Sequence, residues 1–593
     1  MCVMAAAACR RQPVEREAYR DTLAPPPEPL ITEVSPPGHH GGRFVVASAA
    51  APSTFNPLVS NSVYTDDVLN RLFTSLTLFD TEAQQTRPAL ATSWDEAADG
   101  TTWTFHLRRG AVFSDGRPIT ADDVVFTFQA TYTAAFQPSW RDILSMDGTP
   151  WTVTAVDATT VLIRTPKPNA IVPDLLADFY ILPRHTLASR LADGSLGSAY
   201  GLSTPPESLV SSGAWMLHKY IAGDRVVLRR NPHWFGTDQT GQRLPYLNEL
   251  VFLITPDQDA ADLKLRAGEV DGLPSQVLKA DNYAWYEQHQ QDGGFTLHTL
   301  GPALNSTHLW FNLAMARTAT GGMTGEPAAG RVKYAWFNNP AFRLAVAHAI
   351  DQDGMIRSVF SGNAVRTSSL LTPGNVRWHQ PDLPQSDFNP AEARRLLAGL
   401  GWKDADGDGV LEDTAGHSVR FTLQVSSNNR IRLAMANFIR DDLAKIGLGV
   451  TLVPLEFNTT QQHFVQTFDY DAAIGGLGAA LPPDPAIAMN VFRSSGTNHR
   501  WHPRQPLPGT PDDARIDRMM NALLETADPA ARLRAWRDVV RTINDSALIV
   551  WLPSPIVKTP IRSGFANVRP SPFDNIVTRN IEAAYATPPR PAP

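Results

Sequence analysis

Cysteine is almost missing from this chain of 593 residues: there are 2, Cys2 and Cys9, both at the extreme N-terminal end. The body of the protein therefore has no internal disulfide, no cysteine-ligated zinc and no cysteine nucleophile. Long apolar runs are lacking too, and none approaches the roughly 20 residues that cross a bilayer as a helix. Positive charge is neither abundant nor clustered. A net charge of −7 with dispersed Lys and Arg excludes the concentrated basic face that nucleic acid demands. No G-x-S-x-G elbow, P-loop, G-x-G-x-x-G fingerprint or H-E-x-x-H occurs. A catalytic centre would have to be assembled from distant residues, and nothing positive points to one.

What is present is ordinary globular material, with 43% hydrophobic and 19% charged residues. The length exceeds what one core serves, so several domains are expected. The 48 prolines imply many rigid turns and extended connections. Residues 10–42 are polar and Pro-rich (Pro25-Pro26-Pro27, Pro36-Pro37) and read as a tether that includes a solvated His39-His40 pair. Ahead of it, Ala5 to Ala8 before Cys9 resembles the end of a bacterial lipoprotein signal, in which Cys9 would be lipidated; the alternative is a plain disordered N-terminus.

The globular part opens with the apolar run Phe44 to Ala47. Trp151, Val153 and Ala155, then Val161, Ile163 and Thr165, alternate on either side of a polar turn and predict a hairpin. A second strand pair is expected within residues 211–232, turned at Gly223-Asp224. Farther on, Asn339 and Asn389 each precede a proline and should cap helices. Ile431 to Ile446 shows helical spacing and stops at Gly447, and Val450 and Leu452 begin a strand. Strands alternating with helices indicate an α/β lobe.

The most distinctive stretch runs from Pro88 to Phe128. Asp99-Gly100 turns the chain; Trp103, Phe105 and Leu107 then alternate with Thr102, Thr104 and His106 as a strand with one apolar face. After a second turn at Asp115-Gly116, Thr120 and Asp123 form a capping box, with Asp in place of the usual Glu, ahead of a helix that buries Val124, Val125 and Phe128. As a whole this segment resembles the signature of the large solute-binding receptors of bacterial ABC importers, the oligopeptide-, dipeptide- and nickel-binding family. Blocks at 211–232, Leu244 to Phe252, Leu265 to Gly272, Ile350 to Ile356, Leu400 to Gly409 and Asp528 to Arg532 extend the resemblance, in the family's order, from about Phe44 into the 560s.

The resemblance implies an α/β, two-lobed periplasmic-binding-protein fold of three domains, with the ligand cleft between lobes joined by a hinge. Domain I would be discontinuous over 43–78, 200–300 and 555–593. Domain II would be an insert over 79–199, and domain III, the second lobe, would span 301–554. Residues 1–42 would be leader and tether. It implies a receptor, not an enzyme, that captures a peptide or peptide-like solute and delivers it to a membrane permease. The protein would be a monomer at the periplasm or outer face of the envelope, without cofactor or resident metal, touching the membrane only through a lipid on Cys9. A non-peptide solute (a metallophore, sugar or opine) is the alternative within the class; a hydrolase or sensory co-receptor on the same scaffold is the alternative outside it.

The site implied by the resemblance lies in Asp469 to Pro485. In the peptide receptors the matching segment leaves a strand and lines the cleft, and its main chain pairs with the peptide backbone. An aspartate just before the following turn binds the ligand's α-ammonium. Aligned on Asp484-Pro485, that position here is Leu481, which cannot supply the charge pair. Either the ligand lacks such a group, or a neighbour such as Asp484 replaces it, or the correspondence shifts by a few residues; Asp484 could equally be a turn or cap residue. The cleft-lining candidates are Gly475, Gly476, Leu477, Leu481 and Asp484, with Val59, Ser60 and Asn61 by family position and Trp310, Asn312 and Trp501 from their surroundings. Each could equally be core or rim.

Two motifs suggest metal. Asp404, Asp406 and Asp408 with Gly409 occupy positions 1, 3, 5 and 6 of a calcium loop, but position 12 is Ala415, and a plain acidic turn is the expected reading. His499 and His502 are three apart in a loop context with no third ligand nearby, and are expected at a surface or cleft edge.

Overall fold

The computed structural model describes residues 23–587 apart from 61, 133–137, 139, 147, 274–277, 279–281, 318–322, 384–385, 428, 479–480, 497, 503–504, 506 and 574–576. The chain does not wait for Phe44 to pack. A short strand β1 (Leu30–Thr32) lies parallel to Gly236–Asp238, and Val34 is fully buried. Arg108 donates to the carbonyls of Glu28 and Pro29, and Arg109 pairs with the Glu28 carboxylate at 2.6 Å. The tether expected over 10–42 is therefore corrected for its second half, which is bound to the body. The fixed φ of its prolines keeps it extended, and its backbone finds partners there. His40 is likewise not simply solvated: its Nε2 bonds the Arg243 carbonyl at 2.8 Å.

Strand β2 (Arg43–Ser48) runs parallel at one edge of a four-stranded sheet. The signature segment forms a second, antiparallel sheet. It begins with β3 (Ala91–Glu96) and β4 (Thr102–Leu107), and Trp103, Phe105 and Leu107 of β4 are buried as their alternation requires. The helix α1 (Ala121–Tyr132) follows. Its start is a variant box: one Asp123 oxygen accepts from both the Thr120 amide and the Thr120 hydroxyl, and the other from the Arg184 amide. The carboxylate thus fixes the helix start and ties in the helix Arg184–Ala192. The expected hairpin is β5 (Thr152–Ala155) and β6 (Thr160–Arg164), completing the order β3-β4-β6-β5. The chain returns through β7 (Trp215–Ile221), β8 (Arg225–Arg230) and β9 (Glu249–Ile254) to give the order β7-β8-β9-β2. One apolar cluster, with Phe44, Phe105, Phe128, Trp215 and Leu250 inside, unites these two sheets as the first lobe.

Strand β10 (Phe295–Pro302) leads toward a separate core. That core surrounds a five-stranded sheet. Its first strand in the chain is β11 (Ser306–Phe311), followed by α2 (Pro340–Ala349) and α3 (Pro390–Gly399), each capped by the expected asparagine. Next come β12 (Arg420–Ser426), α4 (Arg430–Ala444), β13 (Gly449–Leu455) and β14 (Ala472–Leu477). Helices α5 (Pro511–Glu525) and α6 (Pro529–Asp545) and strand β15 (Val550–Leu552) complete it. The order is β13-β12-β14-β11-β15, with β12, β13 and β14 parallel and β11 antiparallel to its neighbours. Phe311, Phe342, Ile439 and Trp536 lie in this second cluster. Strand β16 (Ser554–Arg562) pairs antiparallel with β10, so two hydrogen-bonded strands connect the lobes. Their register shifts between Thr299 and Gly301, where Gly301 has φ +97°, a conformation only glycine takes without strain.

Candidate seam and cavity between the lobes

Strand β14 carries the stretch singled out from sequence to the edge where the lobes meet. Gly475 lies opposite His308 and Gly476 opposite Thr307 on β11. Both glycines stand at close approaches, which the fixed Trp310 ring imposes at Gly475 and the movable end of Arg432 makes at Gly476. A Cβ on Gly475 would stand 2.8 Å from the Trp310 ring, and one on Gly476 would stand 1.9 Å from the Arg432 Nη2. Leu477 is half-buried opposite Ser306. Beyond it, Leu481 packs against Phe79, Ala177, Leu304 and Phe573, an apolar contact built from both lobes.

Leu481 also borders a cavity of about 170 Å³ with Asn70, Arg71, Tyr180, Trp215 and Glu582. Burial pushes the Glu582 carboxyl upward, while the charges of Arg71 and Arg579 oppose it. Val59 and Ser60 sit in the turn before the helix Val63–Leu72, whose far end supplies Asn70 and Arg71. Ser60 donates to Asp66 at 2.5 Å. Asn61 lies outside the described residues, as does Cys9.

Asp484 is buried and caps the short helix Pro485–Ala488 by accepting from the Ala486 amide. The same oxygen receives the Arg532 Nη2 at 2.6 Å, and both side chains are under 5% exposed. Across the seam stands Asp174 of the first lobe. Burial first, and then the Asp484 charge, push its carboxyl up to about 6 against the pull of the Thr86 hydroxyl, Arg377 and Arg532.

The aromatic and amide candidates sit deeper. Asn312 donates to the carbonyls of Phe468 and Tyr470 and accepts from the Ala314 amide. Trp310 is fully buried, donates to the Tyr470 hydroxyl at 3.1 Å and carries the Arg500 guanidinium over its ring. Trp501 lies in the second core and donates to Asp513. His499, expected at a surface or cleft edge, is instead fully buried beside Trp501, with Nδ1 on the Val491 carbonyl. The loop folds inward because Asp513 offers the Trp501 indole an acceptor and pairs with the imidazole at 3.7 Å.

Sequence reading missed the charged residues around the cavity and a second group behind β14: His308, Arg432 and Arg500. Burial holds the His308 imidazole well below its usual range, with Arg500 and Arg432 adding to the effect. Arg500 is lowered to about 10, again chiefly by burial. The one available signal was position, since Arg432 lies in the first turn of the helix that follows a parallel strand and Arg500 stands beside Trp501.

Two α/β lobes connected by paired strands and meeting at a seam, with a first-lobe cavity that Leu481 of the second lobe borders, define a bilobal solute-binding protein. The chain belongs to the bacterial extracellular solute-binding proteins, family 5, whose middle-region model matches residues 85–499. A probable ABC transporter-binding protein of Deinococcus radiodurans is 29% identical over 474 residues, 77% of this chain and 76% of that one. The oligopeptide-binding protein AppA of Bacillus subtilis is 24% identical over 524 residues, 87% of this chain and 86% of its own. The structure of that AppA with a nonapeptide shares the fold, with a TM-score of 0.69 at 23% identity, covering 93% of this chain and all (100%) of the other. NikA of Brucella suis, solved with Fe(III)-EDTA, shares it with a TM-score of 0.73 at 21% identity, over 92% and 100% of the two chains. Among the described residues no helix is long and apolar enough to cross a membrane.

Proposed function

We propose that the protein is the binding receptor of an ABC importer, closing its lobes on a peptide or peptide-like solute and handing it unchanged to the permease. The observation that carries this is the seam itself: the segment after β14 meets the first lobe at Leu481, beside a cavity with polar walls. Within this reading 43–78, 200–300 and 555–593 form domain I, 79–199 domain II and 301–554 the second lobe; the existence of two large apolar cores supports the division into two lobes, and the paired strands β10 and β16 with Gly301 would serve as the hinge. Such a device works by population shift. Moving an open-dominated equilibrium from 1:99 to 99:1 closed takes about 10⁴-fold preference for the closed form, around 5.5 kcal/mol. A ligand touching both walls at once provides it. The receptor acts outside the cytoplasm as a monomer, anchored through a lipid on Cys9.

One observation favours a solute without a free α-ammonium at the family position. Leu481 is apolar and packed, and Asp484 is already bound to Arg532. Native mass spectrometry of freshly purified protein identifies the cargo, and small-angle scattering follows closure when the cargo is returned. Recovery of intact short peptides with a more compact scattering profile is the expected result. A ligand that is turned over, or a profile that never changes, overturns the reading.

A further inference from the structure

Resting on that reading, we infer that Asp174 and Asp484 form a proton-dependent latch across the seam: the lobes close with one proton held between the two carboxyls and open more readily once it is lost.

The latch stands on where the two acids are placed. Asp174 belongs to the short helix Val172–Leu175 of the first lobe, and contacts on either side bring that helix against the second lobe. The Ala170 amide donates to the Leu524 carbonyl at 2.9 Å, and Ile171 is buried in the second lobe's apolar cluster. The Gln84 side-chain amide donates to the Gly374 carbonyl at 3.0 Å. The gap left between Asp174 and Asp484 measures about 10 Å³, room for one water at most. Asp484 is engaged through a single oxygen. Its Oδ1 accepts from the Ala486 amide and from Arg532, while Oδ2 is buried and has no hydrogen-bond partner among the described residues. Buried acceptors are nearly always paired. The Gln84 amide is committed to Gly374, and the Arg377 guanidinium lies over the Trp378 ring at 5.2 Å. A proton carried by Asp174 supplies the missing donor.

The charges around Asp174 fix the sign. From the second lobe it faces Asp484, Arg377 and Arg532, and from its own lobe the Thr86 hydroxyl on the strand Gln85–Pro88. In the closed seam its carboxyl stands at about 6, because burial and the Asp484 charge outweigh the hydroxyl and the two guanidiniums. Opening removes that burial and that charge, and the group returns toward the ordinary value near 4. Between about pH 4 and pH 6, closure therefore takes a proton from solvent and opening gives it back, so the closed form gains as pH falls. With these two values the closed-to-open ratio should be about 10-fold higher at pH 5 than at pH 7.5.

The lack of cysteine beyond Cys9 makes the test direct. With Cys2 and Cys9 replaced by serine, fluorophores on Leu263→Cys of the first lobe and Leu533→Cys of the second report the interlobe distance by single-molecule energy transfer; the two leucines are 63% and 37% exposed. The pH series is run without added solute and again with a mixed set of tri- and tetrapeptides. The closed population should grow about 10-fold relative to the open one between pH 7.5 and pH 5. Asp174→Asn, whose amide donates without titrating, should abolish the pH dependence and hold the ratio at or above the wild-type ratio at pH 5. Thr86→Val removes a group that lowers the Asp174 carboxyl, so its transition should move above pH 6; this variant decides if Asp174→Asn does not fold. Two populations in a ratio that ignores pH, a pH dependence that survives Asp174→Asn, or a Thr86→Val transition left in place overturns the latch and leaves the closing receptor standing. One interlobe distance under every condition overturns both.

Discussion

Asp174 of the first lobe and Asp484 of the second face each other across the seam, bordering one small gap with Gln84, Arg377 and Trp378. Asp484 has Arg532 against it, whereas Asp174 has a hydrogen bond from the Thr86 hydroxyl. Burial first, and then the Asp484 charge, raise the Asp174 carboxyl to about 6.

The sign of the pH dependence follows from that upward shift. An aspartate in the unfolded chain titrates near 4. Between about pH 4 and pH 6 the folded protein keeps a proton the unfolded chain has released. Stability contributed by this site is thus greatest below pH 4, falls as pH rises through 6, and carries its full penalty above. Asp174→Asn should raise stability at pH 7.5 by on the order of 1 kcal/mol and flatten the pH dependence between about pH 4 and pH 6. Chemical unfolding at several pH values measures this, and an Asn variant less stable than wild type at pH 7.5 would sink it.

Arg532 gives the second prediction. It is buried, donates through Nε to the Leu523 carbonyl and lies 5.1 Å from the Trp378 ring. Removing one member of a buried pair leaves an uncompensated charge, so Arg532→Met should cost about 3 kcal/mol by urea unfolding. The double variant Asp484→Asn, Arg532→Met should cost less than the sum of the singles, because the stranded carboxylate is gone. The Asp174 titration in Arg532→Met should also move higher, since one of the cations opposing its rise has been lost.

The contrast between these residues and the signature strand shows what the sequence could convey. Strand β4, the Thr120–Asp123 box and the asparagine caps at 339 and 389 depend on residues a few positions apart, so period and capping chemistry made them legible. The two-lobed architecture was legible only through resemblance. Pairings such as Asp174 with Asp484, or His308 with Arg432 and Arg500, join distant segments, and each member alone reads as an ordinary charged residue. Depth was the other hidden quantity. Trp310, Asn312 and Trp501 have the right chemistry for a cleft wall and equally for a core, and the structure buries all three.

Asn312 tests that burial directly. Its amide bonds the Phe468 carbonyl at 2.8 Å and the Tyr470 carbonyl at 2.7 Å, holding the chain as it enters β14. Asn312→Ala leaves both carbonyls without this donor and should cost about 2 kcal/mol of stability. Ligand affinity, measured well below the unfolding transition, should change little by comparison. An unaltered unfolding midpoint combined with lost affinity would instead make Asn312 a ligand contact.

The acidic loop at 404–412 yields a prediction about metal. Asp404, Asp406 and Glu412 bring carboxylate oxygens within 4.8 Å of one another. Their partners, however, are local: Asp404 accepts from the amides of Gly407 and Gly409, Asp406 from that of Asp408, and Glu412 from that of Ala405. Asp408, the fifth position of a calcium loop, is turned to Arg420 at 2.6 Å, and the twelfth position is Ala415. A calcium site therefore lacks its bidentate ligand and has a cation held against another. A metal bound with a dissociation constant one hundredth of its concentration would stabilise the fold by about 2.7 kcal/mol. Thermal unfolding in millimolar calcium and in excess chelator should coincide within about 1 °C, whereas a calcium-dependent rise of several degrees, abolished by Asp404→Asn, would establish the loop as a binding site.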